Sequence, residues 1–171
     1  MLFRSDGEIV AGDGWTVEAV ATPGHTANHM AFAWKEAQAL FAGDHVMAWA
    51  TSIVAPPDGA LSDYMASLDK LMRRSENHYF PGHGPAVGNA RRFVNAYILH
   101  RKARESAIVS RLAKGKSDIP SLVHAIYVGL DPRLTGAAGL SVLAHLEDLA
   151  ARGIVATEGK PAIDGVYRLA P

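Results

Sequence analysis

Alternation of apolar and other residues predicts several strands in the first 45 residues. The runs at 8–11 and 15–21 flank Gly12-Asp13-Gly14, and an Asp-Gly pair between two such runs is typical of a hairpin turn. Further runs follow at 29–35 and 39–42. The last is short and apolar throughout, which is typical of a buried strand. We therefore expect a β-sheet whose strands end in glycine-containing turns.

Helical spacing replaces alternation after residue 60, with a short strand predicted at 78–80. The pattern predicts one helix over 61–74 and a longer one over 89–114, ended by Gly115. Apolar residues of the first helix share one face: Leu61, Tyr64, Met65, Leu68, Leu71 and Met72. The outer face of the second helix is predicted to be basic, with Arg91, Arg92, Arg101, Lys102, Arg104 and Arg111 against Glu105.

The remaining residues follow a different order of elements. Helices are predicted at 119–128 and 141–152, followed by two strands at 154–157 and 166–169. Three helices and a two-stranded wing make up a winged-helix unit, in which the end of the long helix would be the first. We therefore divide the chain into a partial α/β domain at 1–88, a linking helix at 89–114 and a winged-helix-like domain at 115–171.

Composition narrows the classes of protein that this chain can belong to. Hydrophobic residues make up 49% of the 171 residues and charged residues 20%, which is typical of a soluble, core-forming protein. Lys and Arg together number 17, as do Asp and Glu, so the net charge is zero and argues mildly against a dedicated nucleic-acid binder. The absence of cysteine excludes a disulfide scaffold and a thiolate zinc site.

The same features bear on where the protein acts. No run of 18 apolar residues occurs, so we expect no transmembrane helix and no membrane partner. The first residues do not resemble a signal peptide. We therefore expect a cytoplasmic protein.

Three glycine-flanked residues are candidates for binding a metal ion. His25 lies in Thr-Pro-Gly-His-Thr at 22–26, Asp44 follows Gly43, and His83 lies in Pro-Gly-His-Gly at 81–84. Each follows a predicted strand, where the sheet fixes the ligand and the turn leaves room for substrate. Imidazole and carboxylate are the usual donors to a divalent metal when cysteine is absent. Taken singly, each would more often be an ordinary loop residue, so the joint pattern carries the hypothesis.

The three motifs resemble the third, fourth and fifth metal motifs of the metallo-β-lactamase superfamily. The quoted stretches are 22–26, Leu-Phe-Ala-Gly-Asp-His at 40–45, and Tyr-Phe-Pro-Gly-His-Gly-Pro at 79–85. The chain is similar to β-lactamase-like proteins that carry a C-terminal winged-helix domain. The resemblance implies an α/β fold, namely the C-terminal half of an αββα sandwich followed by a small winged-helix domain.

The resemblance also implies roles for individual residues. His25 would bind the first of two metal ions, Asp44 would bridge both, and His83 would bind the second. Zinc is the implied metal, with manganese or iron as alternatives. His29 and His45 match no ligand position and are expected to support the site. The other histidines are expected on the surface or in the core: His78, His100, His124 and His145.

One motif of the family has no counterpart in these 171 residues. The family's His-x-His-x-Asp-His sequence, which supplies further ligands and the Asp that handles the nucleophilic water, does not occur. No catalytic residue is therefore identifiable in this chain. We expect a truncated, weakly active or inactive form that binds metal poorly. We also expect self-association through an exposed sheet surface.

The implied function is metal-dependent hydrolysis. The substrate would be an ester or thioester, or a phosphodiester of single-stranded RNA. Glyoxalase II-like relatives resemble Gly-His-Glu-Tyr at the last histidine, whereas this chain has Gly-His-Gly-Pro at 82–85, which argues against acylglutathione. The alternative is a winged-helix module that binds protein or nucleic acid beside a non-catalytic hydrolase remnant. Glu147 and Asp148 in the candidate recognition helix disfavour nucleic acid.

Overall fold

The computed structural model describes residues 5–171, and its first layer is a six-stranded sheet. The sheet runs in the order β1-β2-β3-β4-β5-β6. All neighbouring pairs are antiparallel except β4 and β5, which run parallel. The strands are β1 (Ile9–Gly12), β2 (Trp15–Ala21), β3 (Met30–Trp34), β4 (Ala39–Gly43), β5 (His78–Pro81) and β6 (Val87–Gly88).

Helices pack on one face of this sheet. Val20, Leu40 and Tyr79 point from their strands into a core that also holds Tyr64 and Val94 from the helices. The helices of the chain are α1 (Leu61–Met72), α2 (Ala90–Leu112), α3 (Ile119–Ile126) and α4 (Thr135–Ala151), with a 3-10 turn at Pro132–Leu134. One sheet covered by one helical layer is half of a four-layer sandwich.

The other face of the sheet carries large apolar side chains that remain accessible. Trp15 is 42% exposed, Trp34 38%, Phe41 42% and Phe80 41%. Cross-strand pairing places Phe41 beside Phe80, and their rings lie 5.6 Å apart. The described part of the sheet is therefore apolar on both faces, as in a sheet that packs on both sides.

A second core lies beyond the sheet and matches the predicted winged-helix arrangement. Residues of α3 and α4 pack with the end of α2, as in the contacts among Ile108, Leu122 and Leu146. A small sheet of order β7-β9-β8 completes it, formed by β7 (Ser117–Asp118), β8 (Val155–Thr157) and β9 (Val166–Leu169). The fold class predicted from the sequence is confirmed.

The predicted elements differ from the structure mainly at their ends. The last helix begins at Thr135 rather than 141, although Gly136 and Gly139 disfavour helix locally. Tertiary packing outweighs that preference, because Ala138, Val142 and Leu143 of this helix are buried in the second core. The sequence does not predict the short strands β6 and β7, since two residues are too few to show alternation. None of the helices within residues 5–171 is long and apolar enough to span a bilayer.

Candidate metal centre

The sheet topology brings the three predicted ligands to one edge. His25 follows β2, Asp44 follows β4 and His83 follows β5. Two successive antiparallel pairings make β2 parallel to β4, and β5 is parallel to β4 directly. The carboxyl ends of all three strands therefore lie on the same side, so residues far apart in the sequence meet there.

Asp44 lies between the two histidines. Its Oδ2 is 3.9 Å from Nε2 of His25, and its Oδ1 is 3.5 Å from Nε2 of His83. Both separations exceed ordinary hydrogen-bond lengths. Two donors about 2.1 Å from a tetrahedral zinc lie about 3.4 Å apart, so these spacings suit a shared ion better than direct contact. Each histidine approaches a different carboxylate oxygen, which is the arrangement of a bridging ligand.

The ring of His25 is oriented by a backbone carbonyl. Its Nδ1 lies 2.6 Å from the carbonyl oxygen of Ile53. A carbonyl can only accept, so Nδ1 carries the proton and donates it. In this tautomer the free lone pair is on Nε2, the atom that faces Asp44. An imidazole held this way is prepared to bind a metal through Nε2.

His29 supports Asp44 from behind. Its Nε2 accepts the backbone N–H of Asp44 at 3.2 Å, so its Nδ1 carries the proton and donates to Oγ1 of Thr22 at 2.8 Å. Burial, and after it the nearby His25, lowers the pKa of His29 below its usual value. His29 is therefore a neutral, doubly hydrogen-bonded support for the turn that carries Asp44.

His45 lies beside the site, with its ring 5.7 Å from that of His29. It is fully buried, its ring lies 4.5 Å from that of Tyr64, and burial lowers its pKa to about 3. Neither ring nitrogen has a hydrogen-bond partner within the described part of the chain. A neutral ring packed on Tyr64 fits the supporting role predicted for His45.

Glycines allow the close approaches around the site. A Cβ on Gly24 would lie 2.3 Å from the Cα of Tyr64. A Cβ on Gly43 would lie 2.6 Å from Nε2 of His29, and one on Gly82 would lie 2.7 Å from Oδ1 of Asp44. Each of these turns therefore needs glycine, because a side chain there would clash with Tyr64, His29 or Asp44.

The loop after Asp44 is held by side chains that local sequence patterns do not indicate. Tyr64 donates its hydroxyl to the carbonyl of His45 at 2.8 Å, and the carbonyls of Met47 and Ala50 share the single hydroxyl proton of Tyr97. Arg101 donates to the carbonyl of Ser52. These contacts span 19 to 50 residues, so no short motif could have indicated them.

The predicted basic outer face of α2 is wrong at Arg101. Its side chain is buried rather than solvent-facing, because it reaches inward to the loop. Arg104 is engaged as well, since it donates to the carbonyl of Ile126 at 3.0 Å and lies over the ring of Tyr127. The exposed basic surface of α2 is therefore smaller than the sequence predicts.

The remaining histidines lie away from the cluster around Asp44. His78 and His124 are exposed and His100 is half-buried. His145 is buried in α4 with both ring nitrogens lacking a hydrogen-bond partner among residues 5–171. Burial lowers its pKa to about 3.

The residues present fit part of a metal site. Oδ1 of Asp44 is buried, and no residue from 5 to 171 gives it a hydrogen bond, as expected of an oxygen that a cation would satisfy. Within that same range, no group of three or more His, Asp and Glu side chains surrounds a single point. The three candidates are instead joined in pairs through Asp44.

Comparison with known proteins agrees with this arrangement. The family model for the metallo-β-lactamase superfamily matches residues 2–83, and that for the β-lactamase associated winged helix domain matches residues 119–164. A β-lactamase-like protein 2 homolog from Caenorhabditis elegans is 38% identical over 120 residues, covering 70% of this chain and 39% of that protein. Lactamase-like protein nscB from Neosartorya fischeri is 38% identical over 114 residues, covering 67% and 34%.

Solved structures share the fold over almost the whole chain. A metallo-β-lactamase family protein from Thermus thermophilus superposes with a TM-score of 0.82 at 27% identity, covering 97% of this chain and 53% of that one. A β-lactamase domain protein from Burkholderia ambifaria gives 0.87 at 22% identity, covering 98% and 52%, and shows the fold alone.

The chain spans 34–39% of the length of these curated relatives and about half that of the two structures. Both family models fall on the units that the two cores define. This chain belongs to the metallo-β-lactamase superfamily and carries the superfamily's associated winged-helix domain.

Proposed function

We propose that this chain contributes one side of a dinuclear, metal-dependent hydrolase centre. His25 would bind one ion, His83 the other, and Asp44 both. The observation that carries the proposal is the position of Asp44, with each carboxylate oxygen facing a different imidazole Nε2. Zinc is the metal that this donor set suits best, and manganese or iron are the alternatives.

The chain's own residues would orient and hold the ligands. When bound, such metal ions act as Lewis acids that polarise the bond under attack and activate water. Ile53 keeps the proton of His25 on Nδ1, and His29 fixes the backbone of Asp44. Both contacts keep donor atoms aimed at the same edge of the sheet, as a metal centre needs of the residues around its ligands.

Three protein ligands are too few for two ions. A tetrahedral site uses three or four protein donors for each ion. We therefore propose that these 171 residues alone bind metal weakly and hydrolyse substrate slowly or not at all. No residue within them is assigned as the catalytic base. A cytoplasmic location is part of the same proposal.

The substrate class that we favour is an ester or thioester. With Arg101 buried and Arg104 committed to Ile126 and Tyr127, α2 offers fewer free cations to phosphates than its sequence suggests. A phosphodiester of single-stranded RNA remains the second candidate, supported by the exposed Arg92 and Lys102. Hydrolysis of a model thioester and of a single-stranded RNA by the protein from its complete reading frame, each measured with added zinc, separates the two.

The alternative function is an interaction module built on the winged helix. Arg152, which directly follows α4, is paired with Asp148 at 2.9 Å and with Glu105 of α2 at 2.7 Å. Its charge is thus not free for a phosphate, which favours a protein partner over nucleic acid. Salt-dependent tight binding to DNA in a filter assay would contradict this interpretation.

Metal content tests the main proposal. The protein expressed from its complete reading frame is purified in zinc or manganese, beside His25→Ala, His83→Ala and the control His124→Ala. We expect metal in the parent and the control and a clear loss in the two site variants. A metal-free parent, or equal metal in all four proteins, would refute the proposal.

A further inference from the structure

The loop between β4 and α1 controls two of the three proposed ligands. It begins with Asp44 itself, and the carbonyl of Ile53, about midway along the loop, sets the tautomer of His25. A shift of this loop would therefore move the bridging carboxylate. It would also leave the proton on Nδ1 of His25 without its acceptor, the carbonyl of Ile53. Whatever holds residues 45–53 in place also holds the proposed metal site.

Arg101 holds this loop at the critical position. One guanidinium nitrogen, Nη2, donates to the carbonyl of Ser52, the residue directly before Ile53. The guanidinium carbon also lies 5.2 Å from the centre of the Tyr64 ring, and the hydroxyl of Tyr64 donates to the carbonyl of His45. Arg101 thus acts at Ser52 directly and at His45 through Tyr64, at the two ends of the segment 45–52.

The same side chain reaches the winged-helix unit. Its Nη1 donates to Oγ of Ser141 in α4 at 3.3 Å, and the residue is only 3% exposed. Burying a guanidinium is costly unless acceptors match it. Nη1 and Nη2 have acceptors, whereas Nε has none among the described residues. The planar fork of arginine can serve two acceptors on different elements at once, which an ammonium cannot do in the same geometry.

We propose that Arg101 is a positioning residue through which the winged-helix unit sets the geometry of the metal centre. It connects α4 to the carbonyl of Ser52, and through Ile53 it keeps Nε2 of His25 free to bind. The role in metal binding rests on the proposed function above. The effect on the His25 tautomer does not, because it is a property of the metal-free chain.

The primary test reads that tautomer by NMR in the metal-free chain. Long-range ¹H–¹⁵N correlation spectra identify which ring nitrogen of His25 carries the proton, with His25→Ala as the assignment control. The variants are Arg101→Gln, Arg101→Lys and Ser141→Ala. Arg104→Gln is the matched control, because Arg104 lies on the same helix but contacts Ile126 and Tyr127 instead of the loop.

The parent and Arg104→Gln are expected to show the Nδ1–H form of His25. In Arg101→Gln and Arg101→Lys, the ¹⁵N chemical shifts of the two ring nitrogens should move towards each other, as in a ring that exchanges between tautomers. Ser141→Ala should give a smaller shift in the same direction. It removes one hydroxyl from a partly exposed position, so it keeps the test open if the Arg101 variants do not fold.

An unchanged Nδ1–H form in folded Arg101→Gln would overturn the proposal, as would an unchanged form in Ser141→Ala where Arg101→Gln is unfolded. An equal change in Arg104→Gln would also overturn it, since the effect would then be general loosening. Rescue by Arg101→Lys to the parent pattern would show that charge alone suffices and would refute the two-acceptor bridge.

Zinc titration of the protein from its complete reading frame provides the second measurement. Arg101→Gln should weaken zinc binding about tenfold or more, the usual effect of losing a residue that orients a metal ligand, with Arg104→Gln within about twofold of the parent. If the parent binds no zinc while the tautomer still depends on Arg101, the proposed function fails and the positioning role stands. Equal zinc affinity in the parent and Arg101→Gln would show that Arg101 does not affect metal binding, and would overturn that part of the proposal.

Discussion

At the scale of single residues, the proposed centre depends on turns that tolerate only glycine. Gly24, directly before His25, has a φ of 132°, a backbone conformation that L side chains rarely adopt. Its Cα faces the backbone of Tyr64 at the start of α1. The backbone position of His25 is therefore set by how closely this turn approaches the helix.

Substitution of Gly24 by alanine should destabilise the protein. The new Cβ would lie 2.3 Å from the Cα of Tyr64, so Gly24→Ala is expected to lower the free energy of unfolding by about 3 kcal/mol through clash and backbone strain. Gly14→Ala is the matched control, because Gly14 also has a positive φ but nothing within 4 Å of the added Cβ. It should cost only about 1 kcal/mol. Equal losses in urea denaturation would contradict the close approach.

His145 makes stability depend on pH. Burial is the main cause of its low pKa, followed by nearby positive groups, so its pKa in the folded state is about 3 against 6.5 unperturbed. The titratable and charged groups around it are His100, Arg101, Lys102, Arg104, Glu105, Asp148 and Arg152. As the pH falls below about 6.5, the unfolded chain binds a proton that the folded chain does not.

The contribution of His145 to the free energy of unfolding should therefore be at its full value above pH 6.5 and decrease towards pH 3. The titration of His145 alone should lower the free energy of unfolding by roughly 2 kcal/mol as the pH falls from about 6.5 to about 5. His145→Leu removes this titration and two buried nitrogens without partners among the described residues, so its unfolding free energy should fall less steeply over the same window. His124→Leu, at an exposed position, should keep the slope of the parent. A parent slope in His145→Leu would show that His145 is not buried as a neutral ring.

At the scale of elements, the outer face of the six-stranded sheet is the main unpartnered surface among residues 5–171. Trp15, Trp34, Phe41 and Phe80 project from it. Exposed apolar patches of this kind in soluble chains usually associate. The predicted self-association of this chain would use this face, with a second copy as the partner.

A charge in the middle of that face should oppose association. Phe41→Lys is expected to shift the chain towards monomer in sedimentation velocity, because burying a lysine against the partner's aromatic rings would cost free energy. Leu99→Lys replaces a residue of α2 that is 58% exposed and should leave association unchanged. A monomeric parent chain, or the same association in Phe41→Lys as in the parent, would contradict this prediction.

At the scale of the whole molecule, α2 belongs to both cores. Val94 and Tyr97 pack with the sheet, whereas Ile108 and Leu112 pack with α3 and α4. The linking helix predicted at 89–114 therefore corresponds to one continuous helix that contacts both units. The domain boundaries at 88 and 114 stay a prediction, because the side chains of α2 are shared between the two cores.

Much of this organisation can be predicted from local patterns. Alternation at 15–21 and the Asp-Gly turn indicate the first hairpin, and the motifs around His25, Asp44 and His83 indicate a cluster at strand ends. The inward direction of Arg101 could not be predicted, because the charged residues of α2 suggest a solvated face. Its partners Ser52 and Ser141 lie 49 and 40 residues away, so their proximity depends on the assembled fold.

The most direct test of the central claim is the metal content of Asp44→Asn, measured on the protein from its complete reading frame. Asparagine keeps the shape of the side chain but removes the charge and one oxygen that a bridging ligand needs. The account predicts metal in the parent and loss of most of it in Asp44→Asn, with Asp58→Asn, at an exposed loop position, unchanged. Full metal content in Asp44→Asn would contradict the claim that Asp44 joins two metal ions.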